Sequence, residues 1–326
     1  MSDAFTPILL AFPTVLALAI VVAFGAPVIG ALRRAGAGQR VRDDGPQRHL
    51  QKEGTPTMGG VLIVGATVLA AVAGQLWLTR TLTVQMGALL AVMLAYGCIG
   101  AADDWLKIRR GRSLGLRARQ KLLLQMVVGV AFVYALAGQR AIDAAGMSAT
   151  VQPLAMAWSV FWLLAMVGTS NAVNLSDGLD GLAAGLCTVA TAGFAVLALR
   201  AGDSEVAVLA AALLGACLGF LFFNRHPARI FMGDVGSLAL GGALAAMAAW
   251  LDSPIALIAL CLVPFIEAGS VMIQVISFKA TGKRVFKMSP IHHHFELSGW
   301  PETRVVWTFW GVGAVAAAVT VWASVR

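Results

Sequence analysis

Ten long apolar runs divide this 326-residue sequence, and most are close to the roughly 20 residues that a helix needs to cross a bilayer. They cover approximately residues 6–32, 58–79, 83–102, 122–138, 154–170, 182–199, 205–223, 236–251, 254–277 and 304–324. Backbone polar groups in hydrocarbon must be paired within the chain, so helices are the structure that such runs adopt. The sequence therefore predicts an all-α, polytopic membrane protein with about ten transmembrane helices.

Composition supports this class, because 59% of the residues are hydrophobic and only 12% are charged, against about a quarter in soluble domains. The first run lacks a basic segment before it and is too long for a signal-peptide core, which predicts a retained first span. Pro264 and Glu267 interrupt the ninth run, which favours a broken helix facing protein rather than lipid. We find no long linker or internal repeat, and interpret residues 1–326 as a single integral membrane domain.

The basic residues concentrate in one of the two alternating sets of connections. That set comprises residues 33–57, 103–121, 171–181, 224–235 and 278–303, with the adjoining Arg304. It holds 20 of the 24 lysines and arginines, and the remaining connections with the C-terminus hold 4. The positive-inside rule then places the first set in the cytoplasm and both termini in the periplasm. This topology accounts for the net charge of +8 without a nucleic-acid partner.

The same inner connections carry nearly every side chain that is suited to catalysis or ligand binding, which predicts an active site on the cytoplasmic face. The connection at 171–181 holds Asn174, Asp177 and Asp180 between two apolar runs, where polar groups carry a solvation cost. Their spacing of three places them on one face if the next helix has already begun. Alternatively, Asp177 is an N-cap with Asp180 in the capping-box position.

Two other inner connections contribute carboxylates. Asp103 and Asp104 end the third run, and neighbours on a helix point about 100° apart, so sharing one ion is difficult for them. One can face a metal or a proton acceptor while the other pairs with a lysine or arginine of the same loop.

Asp234 lies between two glycines, Gly233 and Gly236, that let a phosphate or metal approach closely. The alternative is that it caps the eighth span. Phe231 can stack on a base.

The first, second and last inner connections carry cationic groups. Lys52 and Thr57 precede the second run in a glycine-rich turn, which suits an anion or an ordinary helix start with a snorkelling lysine. A basic run ending at Lys121 can hold a lipid phosphate or touch anionic headgroups. The three consecutive histidines 292–294 diverge, so they suit phosphate oxygens better than one zinc ion.

Taken together, these motifs resemble the phospho-N-acetylmuramoyl-pentapeptide transferase family, within the polyprenyl-phosphate N-acetylhexosamine-1-phosphate transferase superfamily. The resemblance covers the whole chain, from Thr55-Pro-Thr-Met-Gly-Gly to Pro290-Ile-His-His-His-Phe-Glu296. The aspartate motifs are signals of the superfamily, and the triple histidine followed by Phe-Glu points to the muramoyl-pentapeptide branch.

The resemblance implies an Mg²⁺-dependent transferase of the bacterial inner membrane that acts in peptidoglycan synthesis, and hence in cell wall biogenesis, cell shape, cell division and the cell cycle. Its substrates would be UDP-MurNAc-pentapeptide and the membrane lipid undecaprenyl phosphate, and its products lipid I and UMP. A homodimer is one assembly that it allows. Direct attack by the lipid phosphate and a route through an enzyme-bound phospho-sugar both fit.

The resemblance also implies roles for individual residues. We hypothesise that Asp103, Asp104 and Asp234 are catalytic, with Asp234 as the Mg²⁺ ligand and Asp104 favoured for activating the lipid phosphate or assisting the metal. The implied substrate-binding residues are Lys52, Thr57, Lys121, Asn174, Asp177, Asp180, Asn224, Phe231, Gly233, Gln274, His292, His293 and His294. Within this set, Asp180 has two alternatives, substrate contact or lysine pairing.

Two other functions compete with this interpretation. A polyprenyl-phosphate GlcNAc-1-phosphate transferase would keep the aspartates and differ in its choice of sugar. A transporter is the non-enzymatic alternative, but transporter sites tend to lie near the bilayer midplane. Here the polar residues gather at one face, and Glu267 and Gln274 are the main in-span exceptions.

Overall fold

The computed structural model describes residues 7–38, 52, 54–111, 114–143 and 152–324, and these residues form helices and their connections. The helices are α1 (Pro7–Arg34), α2 (Gly60–Thr79), α3 (Val84–Arg110), α4 (Ala118–Asp143), α5 (Gln152–Ser176), α6 (Leu182–Ala201), α7 (Ser204–Asn224), α8 (Gly233–Trp250), α9 (Pro254–Leu260), α10 (Leu262–Thr281), α11 (Ile291–Glu296) and α12 (Glu302–Ala323). The two chain ends, whose side of the membrane the charge pattern predicts, lie outside the described residues. So do Arg40, Arg42 and Arg48 of the first basic connection.

Nine of the described helices are long and apolar enough to cross a membrane, namely α1 to α7, α10 and α12. This confirms the prediction of an all-α, polytopic membrane protein. The run at 236–251 forms the shorter helix α8, which has 18 residues rich in glycine and alanine. Nearly all of α8 is buried, because α3 and α5 pack against it. Its role as a tenth span stays a prediction.

The ninth run is broken, as the sequence predicts. Helix α9 ends at Leu260 and α10 begins at Leu262, so the break lies at Cys261. Pro264 falls in the first turn of α10, where the missing N–H of proline disrupts no helical hydrogen bond. One turn later Glu267 is fully buried inside the protein. The break thus allows a carboxylate within an apolar run to face protein rather than lipid.

Glycines bring the helices that carry the aspartates into close contact. A side chain at Gly100 of α3 would clash with the backbone of Asp234 at the start of α8. A side chain at Gly60 of α2 would clash with Gly236 of α8. Only hydrogen in place of a side chain permits these approaches, so the start of α8 sits directly against α2 and α3.

Replacing Gly100 with alanine is expected to destabilise the protein by about 1–3 kcal/mol, because overpacking forces α3 and α8 apart. Gly87→Ala is the matched control, since it lies on the same helix and a side chain there meets no atom within 4 Å. That control is expected to be neutral or stabilising by up to about 1 kcal/mol, from helix propensity alone. Thermal unfolding in detergent compares the two variants, and equal melting temperatures would contradict the close approach.

Candidate active site

The five inner connections meet at one end of the helical bundle. Helices α3, α5 and α7 end there, whereas α4, α6, α8 and α12 begin there. Direct contacts join the connections: Lys52 reaches Asp180, Lys107 reaches Asp234, and Asp180 reaches His226. The polar residues of five separated stretches thus form one continuous surface, whose cytoplasmic location stays a prediction.

Three carboxylates gather at the junction of α3 and α8. One oxygen from each of Asp103, Asp104 and Asp234 lies within 4.8 Å of the others. Asp103 accepts a hydrogen bond from the Leu116 N–H at 2.8 Å, and Asp104 accepts one from the Val235 N–H at 3.1 Å. Because neighbours on a helix point about 100° apart, the sequence predicted that Asp103 and Asp104 would not readily share one metal ion. In the folded chain each of the pair turns one oxygen toward Asp234, so the three can bind one cation.

Two lysines offset part of the negative charge of this carboxylate cluster. Lys107 Nζ lies 2.6 Å from Asp103, 3.0 Å from Asp234 and 3.5 Å from Asp104. Lys121 Nζ lies 2.8 Å from Asp234. The expectation that a basic residue of the same loop pairs with an aspartate is therefore confirmed, although one lysine serves both aspartates.

The donor set of the carboxylate cluster fits a hard divalent cation. Carboxylate oxygens are the ligands that Mg²⁺ and Ca²⁺ prefer, and three of them converge here. Lys107 lies among the same oxygens, so a metal ion that binds all three must displace its ammonium group. Asp103, Asp104 and Asp234 are accordingly the described residues that would hold the ion.

Asn174 joins the carboxylate cluster from the end of α5. Its Nδ2 donates to Asp234 Oδ1 and to Ser237 Oγ, both at 2.8 Å. Asp234 lies in the first turn of α8, and the side-chain cap that the alternative interpretation required is absent at the N-cap residue, Met232. The Asp234 carboxylate is thus directed at the cluster rather than at its own helix.

Gly233 lies between Thr57 of the first connection and Asp104 of α3. Its φ angle is +72°, and an added Cβ would lie 2.5 Å from Asp104 Oδ2 and 2.8 Å from Thr57 Oγ1. Thr57 is held there because the adjoining backbone pairs with the 231–232 segment: Phe231 N–H donates to Pro56, and Gly59 N–H donates to Phe231. The Phe231 side chain itself is half-buried. A glycine is therefore required by the packing of this turn against Asp104 and Thr57, and the close approach of a phosphate or metal stays a prediction.

Asp177 and Asp180 face different parts of the site, so the expectation that they share a helix face is wrong. Helix α6 begins only at Leu182, and residues 177–181 form a turn. The capping alternative is also wrong, because the N-cap is Gly181, which makes no side-chain bond. Burial raises the pKa of the Asp177 carboxyl well above its ordinary value, and the negative charges of Asp234 and Asp104 act in the same direction. A protonated Asp177 can donate a hydrogen bond.

Asp180 belongs to a second cluster of charges. Its Oδ1 accepts from Lys52 Nζ at 2.7 Å, and its Oδ2 lies 3.0 Å from both His226 Nδ1 and the Ala228 N–H. Lysine pairing is the alternative that the structure supports for Asp180. Lys52 also contacts Glu302 at 2.6 Å, so its ammonium is already balanced rather than held open for an anion at the start of α2.

A cavity of about 500 Å³ opens beside this second cluster. Its walls include Lys52, Thr55, His226, Glu296 and Glu302. Small-molecule sites commonly have volumes of about 300–1,000 Å³. The cavity is therefore large enough for a nucleoside-sized group.

The two amides predicted to bind substrate, Asn224 and Gln274, form hydrogen bonds to the backbone, and their substrate contacts stay predictions. Asn224 is buried, accepts from the Gly181 N–H at 3.1 Å and donates to the Ile230 carbonyl at 2.9 Å. Gln274 holds the backbone of Val285 and Phe286 at 2.9 Å and lines a separate cavity of about 540 Å³. Both residues shape the site through the segments that they hold.

The three histidines lie on the short helix α11, and the prediction that neighbouring side chains diverge is wrong for His292 and His293, whose ring centroids are 4.1 Å apart. His292 is fully buried, with Nδ1 3.0 Å from Glu267 Oε2. His293 Nδ1 lies 2.8 Å from Glu296, and His294 Nδ1 accepts from the Lys287 N–H at 3.1 Å. A side chain at Gly178 would clash with the His292 ring, so this histidine packs against the turn that carries Asp177 and Asp180.

Known proteins are closely similar to this chain over almost all of its length. A model of glycosyl transferase family 4 matches residues 86–252, and a phospho-N-acetylmuramoyl-pentapeptide-transferase signature matches residues 52–64. The phospho-N-acetylmuramoyl-pentapeptide-transferase of Caldanaerobacter subterraneus subsp. tengcongensis is 46% identical over 320 residues, which cover 95% of this chain and 96% of that protein. The proteins of the same name from Geobacillus sp. (strain WCH70) and Heliobacterium modesticaldum are each 46% identical, over 323 and 314 residues. They cover 95% and 93% of this chain, and 98% and 94% of the respective relatives.

The chain belongs to the phospho-N-acetylmuramoyl-pentapeptide-transferase family. The resemblance carried by the aspartate and histidine motifs is thereby confirmed, and the relatives support the muramoyl-pentapeptide branch over the GlcNAc-phosphate alternative. In this member of the family, the signature segment contains both Lys52, which pairs with Asp180, and Thr57, which lies against Gly233.

Lys107 and Glu302 are among the residues of this site that sequence reasoning missed. Lys107 was one of several cations in a basic run, although its spacing of four and three from Asp103 and Asp104 could have singled it out. Glu302 offered no such signal, because its contacts with Lys52 and Asp180 cross 250 and 122 residues of sequence.

Proposed function

We propose that this transferase moves phospho-MurNAc-pentapeptide from UDP-MurNAc-pentapeptide to undecaprenyl phosphate, forming lipid I and UMP at the cytoplasmic face of the bacterial inner membrane. This would be the first membrane step of peptidoglycan synthesis. The observation that carries the proposal is the convergence of three carboxylates and two lysines at one end of a bundle of apolar helices. A lipid phosphate and a water-soluble diphosphate can meet at such a place.

The carboxylate cluster would hold Mg²⁺, with Asp234 as a central ligand and Asp103 and Asp104 beside it. Its donor set of oxygens supports this choice. A bound Mg²⁺ supplies charge stabilisation to the diphosphate during phosphoryl transfer. Asp104 accepts a hydrogen bond from the Val235 N–H at the start of α8, which would hold its carboxylate beside the ion.

The lysines would bind the phosphates of the two substrates. Lys107 and Lys121 approach the carboxylate cluster from α3 and α4, so either ammonium can turn from a carboxylate to a phosphate oxygen without leaving the site. In the net reaction a phosphorus–oxygen bond forms to the lipid phosphate, and the bond joining the sugar phosphate to UMP breaks. Two positive groups beside that phosphorus offset the negative charge of the transition state.

The cavity beside Lys52 would take the nucleoside end of the UDP substrate. Its volume suits such a group, and the Lys52 charge is already balanced by Asp180 and Glu302. An uncharged base and ribose can bind there with little electrostatic cost, whereas the diphosphate is better placed near Lys107 and Lys121. The pentapeptide and lipid chains would extend from the same end of the bundle.

Purified protein in detergent tests the activity directly. With undecaprenyl phosphate, UDP-MurNAc-pentapeptide and Mg²⁺, we expect UMP release together with a lipid-linked product, and chelation by EDTA is expected to abolish both. UDP-GlcNAc replaces the sugar donor in a parallel reaction. Turnover of UDP-GlcNAc in preference to UDP-MurNAc-pentapeptide would favour the sister activity, and movement of substrate across a vesicle without UMP would favour a transporter.

A further inference from the structure

We infer that Glu302, the first residue of α12, is a positioning residue that assembles the nucleotide pocket by holding Lys52 and the backbone of Asp180. This role rests on the proposed function and deepens it, because the pocket concerned is the cavity assigned above to the UDP substrate. Glu302 belongs to the last helix, whose start is the final wall of that cavity.

The contacts of Glu302 converge on a single carboxylate oxygen. Oε1 accepts from Lys52 Nζ at 2.6 Å and from the Asp180 N–H at 2.7 Å. The other oxygen, Oε2, lies 3.6 Å from His226 Nδ1. The side chain is only 12% exposed, so these contacts form with little competition from water. One glutamate therefore connects the first, third and fourth inner connections to α12.

Glu302 and Asp180 act on Lys52 as a pair. Lys52 Nζ lies between the two carboxylates, at 2.7 Å from Asp180 Oδ1 and 2.6 Å from Glu302 Oε1. Asp180 is itself held by the Ala228 N–H and by His226, so it is fixed independently of α12. Loss of Glu302 would leave Lys52 with one anchor and the Asp180 N–H without its acceptor. The lysine would then sample several positions at the cavity wall.

The Asp180 backbone matters because its turn also carries the residues that face the carboxylate cluster. Asp177 and Gly178 precede it by three and two residues, and Gly178 packs against the His292 ring. A hydrogen bond from Glu302 to the Asp180 N–H therefore restrains the turn between the nucleotide pocket and the carboxylate cluster. Restraint of this kind lowers the ordering cost of binding.

The charges predict that Glu302 affects nucleotide binding more than the chemical step. Two carboxylates face one ammonium in this pocket, so the local charge is negative when His226 is neutral. A diphosphate is disfavoured there, and the pocket is left for the uncharged part of the nucleotide. The contacts of Glu302 described above are with Lys52, the Asp180 N–H and His226, which belong to the nucleotide pocket.

Steady-state kinetics of Glu302→Gln and Glu302→Ala test the inference. In the alanine variant the charge-assisted hydrogen bonds of Glu302 are lost, and KM for UDP-MurNAc-pentapeptide is expected to rise about tenfold or more. The kcat is expected to stay within about threefold of wild type, since interactions shared by ground and transition states change KM alone. KM for undecaprenyl phosphate should not change. Glu302→Gln is expected to be intermediate, because its carbonyl still accepts from the Asp180 N–H.

Two further variants make the result specific. Glu205→Gln is the matched control, since Glu205 also lies in the first turn of a span but at the opposite end of α7 from the site. It is expected to leave both KM values unchanged. Lys52→Met combined with Glu302→Gln forms a double-mutant cycle, and the two effects on KM should be less than additive if Glu302 acts through Lys52.

Several outcomes would overturn the inference. They are a lowered kcat with KM for the nucleotide unchanged, additive effects in the cycle, or a melting temperature that falls while both kinetic constants stay at wild-type values. If the alanine variant does not fold, the glutamine variant carries the same test. Failure of the proposed function is separate, because it would appear as absent UMP release in the wild-type protein.

Discussion

Asp234→Asn is expected to lower Mg²⁺-dependent UMP release by at least about 10²-fold, the scale on which loss of one preorganised electrostatic group slows an enzyme. Asp234 is the common point of the carboxylate cluster, contacted by Lys107, Lys121 and Asn174 at 3.0, 2.8 and 2.8 Å. Asparagine keeps the size of the side chain and an oxygen acceptor but removes the negative charge that a cation requires. Initial rates of UMP release by wild-type and variant protein measure the effect.

A matched control for this substitution lies at the other end of the same helix. Asp252 follows α8, and its Oδ1 accepts from Trp158 Nε1 at 2.7 Å, a contact that asparagine can keep. Asp252→Asn is therefore expected to retain wild-type turnover. Near wild-type UMP release by Asp234→Asn, in protein that is inserted and folded, would remove Asp234 from the proposed metal role.

The sequence locates the helices well because a bilayer requires long apolar runs. The runs at 182–199 and 205–223 correspond to α6 at Leu182–Ala201 and α7 at Ser204–Asn224. Helix ends are predicted less well where the helix continues beyond its apolar part. Helix α3 extends to Arg110, eight residues past the predicted end at 102, because Asp103, Asp104 and Lys107 face one another and α8 instead of lipid.

The motifs locate the candidate site, but they do not assign its contacts. Asp177 and Asp180 are three residues apart and yet face the carboxylate cluster and Lys52, respectively, because the turn between α5 and α6 is not helical. Lys107 and Asp234 are 127 residues apart in the chain. The periodicity of the sequence cannot predict the contact between Lys107 and Asp234, because this contact depends on how α3 and α8 pack.

Lys107→Met is expected to destabilise the metal-free protein by roughly 2–3 kcal/mol, because three neighbouring carboxylates lose the cation that lies among them. Breaking a fully buried ion pair costs about 3–5 kcal/mol, and the 30% exposure of the Lys107 side chain reduces that figure. In a chain of this size the melting temperature in EDTA should fall by about 3–4 °C. Lys279→Met is the control, since Lys279 is an exposed lysine in the last turn of α10.

Added Mg²⁺ is expected to reverse this loss, because a ligand that binds only the folded protein stabilises it by RT ln(1 + L/Kd), where L is the free ligand concentration. In the wild-type protein the metal must first displace Lys107 from Asp103 and Asp234, whereas methionine offers no competing charge. The rise in melting temperature between EDTA and saturating Mg²⁺ should therefore be larger for Lys107→Met than for the wild type and Lys279→Met. Equal rises in all three proteins would show that the lysine and the metal do not share the same carboxylates.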